Sequence, residues 1–147
     1  MESSPEVIAR RAALEGEAPI VTRGAWTRTT WNGRDVVFLC GTIGAEFDAW
    51  QRKLCVTSAA DALLSQQIGL DAVERAMDEL EEKARAEVGA EGRRLMPRRS
   101  PGYGELPLAL SRTILDALDA PRKIGVSITD SDLLVPSKSV TAICEIA

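Results

Sequence analysis

The stretch Trp31-Asn32-Gly33-Arg34-Asp35-Val36-Val37-Phe38-Leu39-Cys40-Gly41-Thr42-Ile43-Gly44 decides the fold class. Asn32-Gly33 sits between two β-prone runs. Both central residues of a type I′ turn need positive φ, so the pair predicts a hairpin that joins Ile20–Trp31 to Val36–Cys40. The second run is apolar without alternation and reads as a buried strand. Gly41-Thr42-Ile43-Gly44 then breaks it and leads into Ala45–Leu54, where Phe47, Trp50 and Leu54 recur at helical spacing. A strand, a glycine loop and a helix start in succession suit either an anion cradle or a tight turn that passes a strand into a helix.

Outward from this segment the chain alternates helix and strand without a βαβ rhythm. Pro5 to Gly16 predicts a short, weakly amphipathic helix with Val7, Ile8, Ala12 and Leu14 on one side. Ser58 to Glu87 predicts a long helical stretch, interrupted near Ile68-Gly69. Its apolar side runs through Ala59, Ala62, Leu63, Ile68, Val73, Met77, Leu80 and Ala84. Glu79, Glu81, Glu82, Lys83 and Arg85 read mostly as its solvated face. Pro107 suits the first turn of another helix, with Leu110, Ile114 and Leu118 repeating beneath it. Lys123 to Thr129 and Val140 to Ile146 are rich in β-branched residues and read as strands. The class expected is α+β, an antiparallel sheet with helices packed around it.

The 147 residues suffice for one domain with one core. Apolar residues at 45% and charged residues at 27% are ordinary for a globular chain. With a net charge of −4, general attraction to nucleic acid or anionic membrane is not expected. No apolar run approaches the roughly 20 residues that span a bilayer. The acidic start, Met1 to Glu6, does not read as a secretory leader, so a cytoplasmic protein is expected. Cys40, Cys55 and Cys144 are odd in number and far apart, and they read as reduced core cysteines rather than a disulfide framework or metal site. Histidine is absent. Ser-His-Asp and Cys-His catalysis and most zinc sites therefore fall away, which leaves carboxylates, Arg, Lys, Tyr, backbone or a bound cofactor.

The most unusual segment is Arg98-Arg99-Ser100-Pro101-Gly102-Tyr103-Gly104-Glu105. Ser-Pro-Gly-Tyr suits a type II turn, in which Pro101 presets φ and Gly102 supplies the positive φ that follows. Such a turn would let Arg98 offer a planar fork to a carboxylate and Tyr103 lay its ring on an apolar or cationic ligand. A structural turn with solvated arginines accounts for the same residues.

These residues, Arg98, Ser100, Pro101, Gly102 and Tyr103, resemble the Arg-x-x-x-Gly-Tyr loop of the activation, or reactivation, domain family of cobalamin-dependent methionine synthase, in the form found in free-standing members. Leu106-Pro107-Leu108, Lys123-Ile124-Gly125-Val126, Thr129-Asp130-Ser131 and Val135-Pro136-Ser137-Lys138-Ser139-Val140 are similar to that family in order and spacing. So is Gly41-Thr42-Ile43-Gly44, and the similarity covers roughly Val36 to Ile146.

The resemblance implies a single domain over 1–147, N-terminally short, that binds S-adenosylmethionine and faces a corrinoid. It further implies that one-electron reduction of cob(II)alamin is coupled to methylation. With no histidine for a corrinoid-binding motif, the cobalamin would arrive on a partner, a corrinoid protein or cobalamin-dependent methyltransferase. Electrons would come from a flavodoxin-like or iron-sulfur donor, and pairing of two copies is a further option. Arg98 would pair the ligand carboxylate, Ser100, Pro101 and Gly102 would shape the pocket, and Tyr103 would lie towards the corrin or sulfonium. Glu79 aligns with a ligand-contacting helix carboxylate, with Glu81 or Glu82 as alternatives. Lys138 would meet a corrinoid phosphate or propionamide, or stand as an exposed structural lysine. No catalytic or metal-ligating residue is implied. A role as a non-catalytic docking or assembly subunit of a corrinoid protein stands beside the reactivation role.

Overall fold

The computed structural model describes residues 4–147; the leader reading of Met1 to Ser3 lies outside them. Three strands form the central antiparallel sheet in the order β1 (Arg23–Trp31), β2 (Arg34–Thr42), β5 (Ser139–Glu145). Asn32 and Gly33 take φ of 51° and 75°, the left-handed geometry that the hairpin turn requires. Trp31 pairs with Arg34, and the register runs to Arg23 opposite Thr42. β2 lies between its two partners and is buried from Val36 onward, which explains its unbroken apolar run.

Among the described residues there are five helices: α1 (Pro5–Glu17), α2 (Ala45–Thr57), α3 (Ala59–Ala90), α4 (Leu110–Leu118) and α5 (Ala120–Ile124). Period-2 alternation sends Val36, Phe38, Cys40 and Ile143 to one face, where they pack on Leu110, Ile114 and Leu118 of α4. Val37, Leu39, Ala142 and Cys144 go to the other, against Met77, Leu80, Ala84 and Val88 of α3. The sheet is thus covered by helices on both faces. The Met77 and Leu80 side chains of α3 pack directly on the strand backbone where Gly24 and Gly41 oppose each other across β1 and β2. A Cβ at Gly41 would lie 2.9 Å from the Met77 sulfur, and one at Gly24 would lie 2.7 Å from a Leu80 methyl.

α1 begins with a Ser4 side-chain cap on the Val7 N–H (3.2 Å) and Pro5 in its first turn. Arg10 holds Asp61 at the start of α3, and Arg11 holds Asp71 one face further along. Leu14 of α1, Phe47 of α2 and Ile68, Ala72 and Val73 of α3 make a third apolar cluster.

Four expectations are corrected. α3 runs through Ile68-Gly69 without interruption, because Gly69 lies against the buried Phe47 ring and the cost of a helical glycine is met by that packing. Lys123 to Thr129 is not one strand: Lys123 and Ile124 end α5, Gly125 turns at φ 71°, and only Ser127–Ile128 is extended, as β3. β3 pairs with β4 (Leu134–Val135) in a separate two-stranded sheet. Pro107 stands in a turn ahead of α4, accepting from the Leu110 N–H (3.0 Å), rather than within the helix. Of the cysteines, Cys40 and Cys144 are buried, but Cys55 is exposed on α2. Among the described residues no helix is long and apolar enough to cross a membrane.

Candidate functional site

The segment 95–99 runs antiparallel along the free edge of β5, bridging Leu95 to Ile146 and Arg99 to Ile143. Four steps on this segment match three on β5, so one extra residue is accommodated between the bridges, as in a β-bulge. Pro97, which has no N–H to give the ladder, falls within it. Met96 and Pro97 consequently share one side, lining a small pocket with Trp31, Arg99 and Leu106, while Arg98 is turned to the α3 side.

There Arg98 meets three carboxylates of α3. Nη1 donates to Asp78 (2.7 Å) and Glu81 (3.0 Å), and Nη2 donates to Glu74 (2.7 Å). Positions 74, 78 and 81 follow the i, i+4, i+7 spacing of one helix face. Partial burial opposes the guanidinium charge, but the hydrogen bonds to Asp78, Glu74 and Glu81 outweigh it and hold the pKa above the ordinary arginine value.

Beyond Arg98 the chain makes the expected turn. The Tyr103 N–H points to Ser100 O (3.4 Å) and Gly102 has φ 90°, the type II arrangement that glycine permits. Gly102 N–H donates to Leu106 O (3.0 Å), which closes the loop on itself. Pro101 is buried beneath it, and Tyr103 is 75% exposed at its tip.

A cleft of about 690 Å³ opens between this loop, α3 and the β3–β4 hairpin. Arg98, Arg99, Ser100, Pro101 and Tyr103 line it from the loop, Leu70 and Glu74 from α3, and Asp132 and Leu134 from the hairpin. Its floor holds Ser111 and Thr141, whose hydroxyls share a buried hydrogen bond of 2.9 Å. Asp132 is held by Arg112 at 2.9 Å. The volume lies within the range of small-molecule clefts.

The structure brings together Arg98, Ser100, Pro101 and Tyr103, with Gly102 shaping their turn. Glu79 lies elsewhere, in a separate groove with Arg23 and Lys83 at the start of β1. Of the alternatives, Glu81 binds Arg98 and Arg85, whereas Glu82 pairs with Arg85. Glu74, which reading along the sequence did not single out, is the α3 carboxylate that lines the cleft. Its signal was the shared face with Asp78 and Glu81. Lys138 is 8% exposed, so it is not an exposed structural lysine; its stem packs where Gly69 leaves room, and the cleft is lined by Ser139, Val140 and Thr141 rather than by Lys138. At Gly41 to Gly44 the tight turn prevails. Gly44 N–H donates to Thr42 Oγ1 (3.2 Å) and Ile43 N–H to Lys138 O (3.2 Å), so neither is turned towards an anion.

The chain matches no family model and no curated protein. Among solved structures it is similar to the MetH reactivation domain bound to AdoHcy, at 20% identity and a TM-score of 0.64. The match covers 76% of this chain and 39% of that one, so the chain spans about two fifths of the neighbour's length. What the two share is the fold: the mixed helix and antiparallel-sheet architecture described above is that of the MetH reactivation domain.

Proposed function

We propose that the cleft beside the 98–104 loop binds S-adenosylmethionine or its demethylated product, AdoHcy, and that the chain serves a corrinoid-dependent methyltransferase carried on another polypeptide. The observation that carries this reading is the juxtaposition of an exposed Tyr103 ring, a rigid Ser-Pro-Gly-Tyr turn and the Glu74 carboxylate on one cleft, in a fold shared with a domain solved with AdoHcy. The residues fit such a ligand. Glu74 and the electron-rich face of Tyr103 suit a sulfonium or ammonium, and the Ser111–Thr141 floor with the backbone of Ser100 suits ribose or base edges. S-adenosylmethionine, when bound, supplies an activated methyl group. The protein's part is to orient it and to exclude water with Leu70, Leu108 and Leu134.

Tyr103, Leu108, Leu133 and Val135 are exposed apolar residues of the same loop and hairpin, and they suit contact with a partner-borne corrinoid. A cytoplasmic setting and a flavodoxin-like or iron-sulfur electron donor belong to the same proposal. Titration calorimetry of the full chain with AdoHcy tests it: saturable heat is expected, and its absence up to millimolar ligand would overturn the reading.

One observation favours the second reading, a docking or assembly subunit without nucleoside. Arg98, the arginine that the resemblance assigns to the ligand carboxylate, is already held by three carboxylates of its own chain. On that reading the chain co-elutes with a corrinoid protein on gel filtration while AdoHcy gives no heat.

A further inference from the structure

We infer that Arg99, not Arg98, anchors the anionic end of the cleft's ligand, and that this residue makes the site selective for nucleosides that carry an amino-acid carboxylate. The inference rests on the reading that the cleft takes S-adenosylmethionine or AdoHcy.

Arg98 is poorly placed for this task on grounds of charge. Both Nη1 and Nη2 donate to carboxylates, and one guanidinium stands against three carboxylates. A ligand carboxylate brought there would add a fourth negative charge to a site with a surplus already.

Arg99 is in the opposite situation. Its backbone is fixed to β5 by two hydrogen bonds with Ile143, each 2.9 Å, so the root of the side chain is held. The bulge that turns Arg98 towards α3 leaves Arg99 at the rim, where it borders both the cleft and the small pocket of Met96 and Pro97. Its Nη2 lies beside Gly104, 3.9 Å from where a Cβ at that position would stand. No carboxylate lies within ion-pair distance of it among the described residues. Two other charges of the cleft are committed: Arg98 to its three α3 carboxylates, and Asp132 to Arg112.

The cleft is therefore polarised. The Arg99 end offers an unpaired planar fork that can grip a carboxylate with two parallel hydrogen bonds. At the Glu74 end one carboxylate oxygen accepts from Arg98, which leaves the other for a cationic group. A zwitterionic amino-acid tail satisfies both ends, and a neutral thioether nucleoside satisfies neither.

The test compares AdoHcy with 5′-methylthioadenosine, which keeps the nucleoside and lacks the amino-acid tail, by calorimetry on the wild-type chain and on Arg99→Ala and Arg99→Lys. Loss of a charge-assisted pair predicts AdoHcy binding weaker by about 10- to 100-fold in Arg99→Ala. Binding of 5′-methylthioadenosine should be unchanged, which also shows that the variant is folded. Arg99→Lys should recover part of the loss, since it restores the charge but not the fork. Equal AdoHcy affinity in wild type and Arg99→Ala, or equal losses for both nucleosides, would overturn the inference while leaving the cleft's ligand in place. If the wild type binds neither nucleoside, the reading of the cleft fails and this inference fails with it.

Discussion

Arg98 and Glu81 form the innermost link between the bulged edge of the sheet and α3: Nη1 donates to the Glu81 carboxylate at 3.0 Å, and the two side chains are only 19% and 14% exposed. Asp78 and Glu74, at 66% and 57%, complete the cage from the solvent side. The Glu81 contact therefore matters more to stability than the other two, since exposed pairs contribute little and breaking a buried one leaves a desolvated charge behind.

Arg98→Ala is accordingly expected to destabilise the fold by about 2 kcal/mol, between the values for exposed and buried pairs. For a chain of this size that is a melting temperature lower by roughly 4–8 °C. Asp78→Asn should stay within about 0.5 kcal/mol of wild type. Thermal unfolding of the two variants checks the order, and equal effects would show that the three carboxylates act as one diffuse field.

Gly69→Ala sets two effects of opposite sign against each other. Alanine improves helix propensity by up to about 1 kcal/mol. Its Cβ, however, would sit 2.7 Å from a Phe47 ring carbon and 3.1 Å from Lys138 Cε, and the ring is fully buried. Overpacking of this kind costs typically about 1–3 kcal/mol, so a net destabilisation of about 1 kcal/mol is expected. Urea unfolding should show a lower midpoint with an unchanged slope. A more stable variant would mean that the α2–α3 contact is looser than the structure shows.

Gly69 also illustrates what the sequence made legible. The Asn32-Gly33 pair revealed the hairpin, an unbroken apolar run the buried strand β2, and helical periodicity the long helix, because each is a local signal. The same local reading took Gly69 for a break, since the reason for that glycine is a phenylalanine 22 positions away in the chain. It extended a strand over Lys123 to Thr129 because β-branched composition does not distinguish two paired residues from seven. In the site, the turn chemistry of Ser100 to Tyr103 was readable from its Pro-Gly pair. The partners of Arg98 were not, because they depend on a one-residue bulge that decides which side of the edge each arginine takes.

The thiols separate by burial. Desolvation pushes Cys40 up to about 12, and burial with the nearby Glu81 charge does the same for Cys144, while Cys55 is exposed. A disulfide-exchange reagent should titrate one thiol in the native chain and all three after denaturation. Native reaction of all three would show that the sheet opens readily. Because the folded thiol pKa lies above the unfolded value, the favourable contribution is complete below about 8.5 and is lost as pH rises towards 12.

Acid should act first on α1. The side-chain hydrogen bond from Arg10 holds the Asp61 carboxyl below its ordinary range. A depressed folded pKa contributes stability above the unfolded value, near 4, and loses it as pH falls through the folded one. Hydrogen exchange in α1 should thus accelerate below about pH 4 before that of β2. Arg10→Ala should remove the pH dependence, and an α1 that loosens equally with and without Arg10 would sink the assignment.

Tyr103 bears most directly on ligand recognition. At 75% exposure its ring buries little of the fold, so Tyr103→Ala should leave stability within about 0.5 kcal/mol of wild type. If the ring covers the ligand's sulfur, the cation–π contribution exists only for the sulfonium, not for the neutral thioether. S-adenosylmethionine should then lose roughly 10-fold in affinity, AdoHcy clearly less, and Tyr103→Phe should keep the preference because it keeps the ring face. Calorimetry with both ligands separates the alternatives: equal losses would place the tyrosine against the adenosine or a partner surface instead of the sulfur.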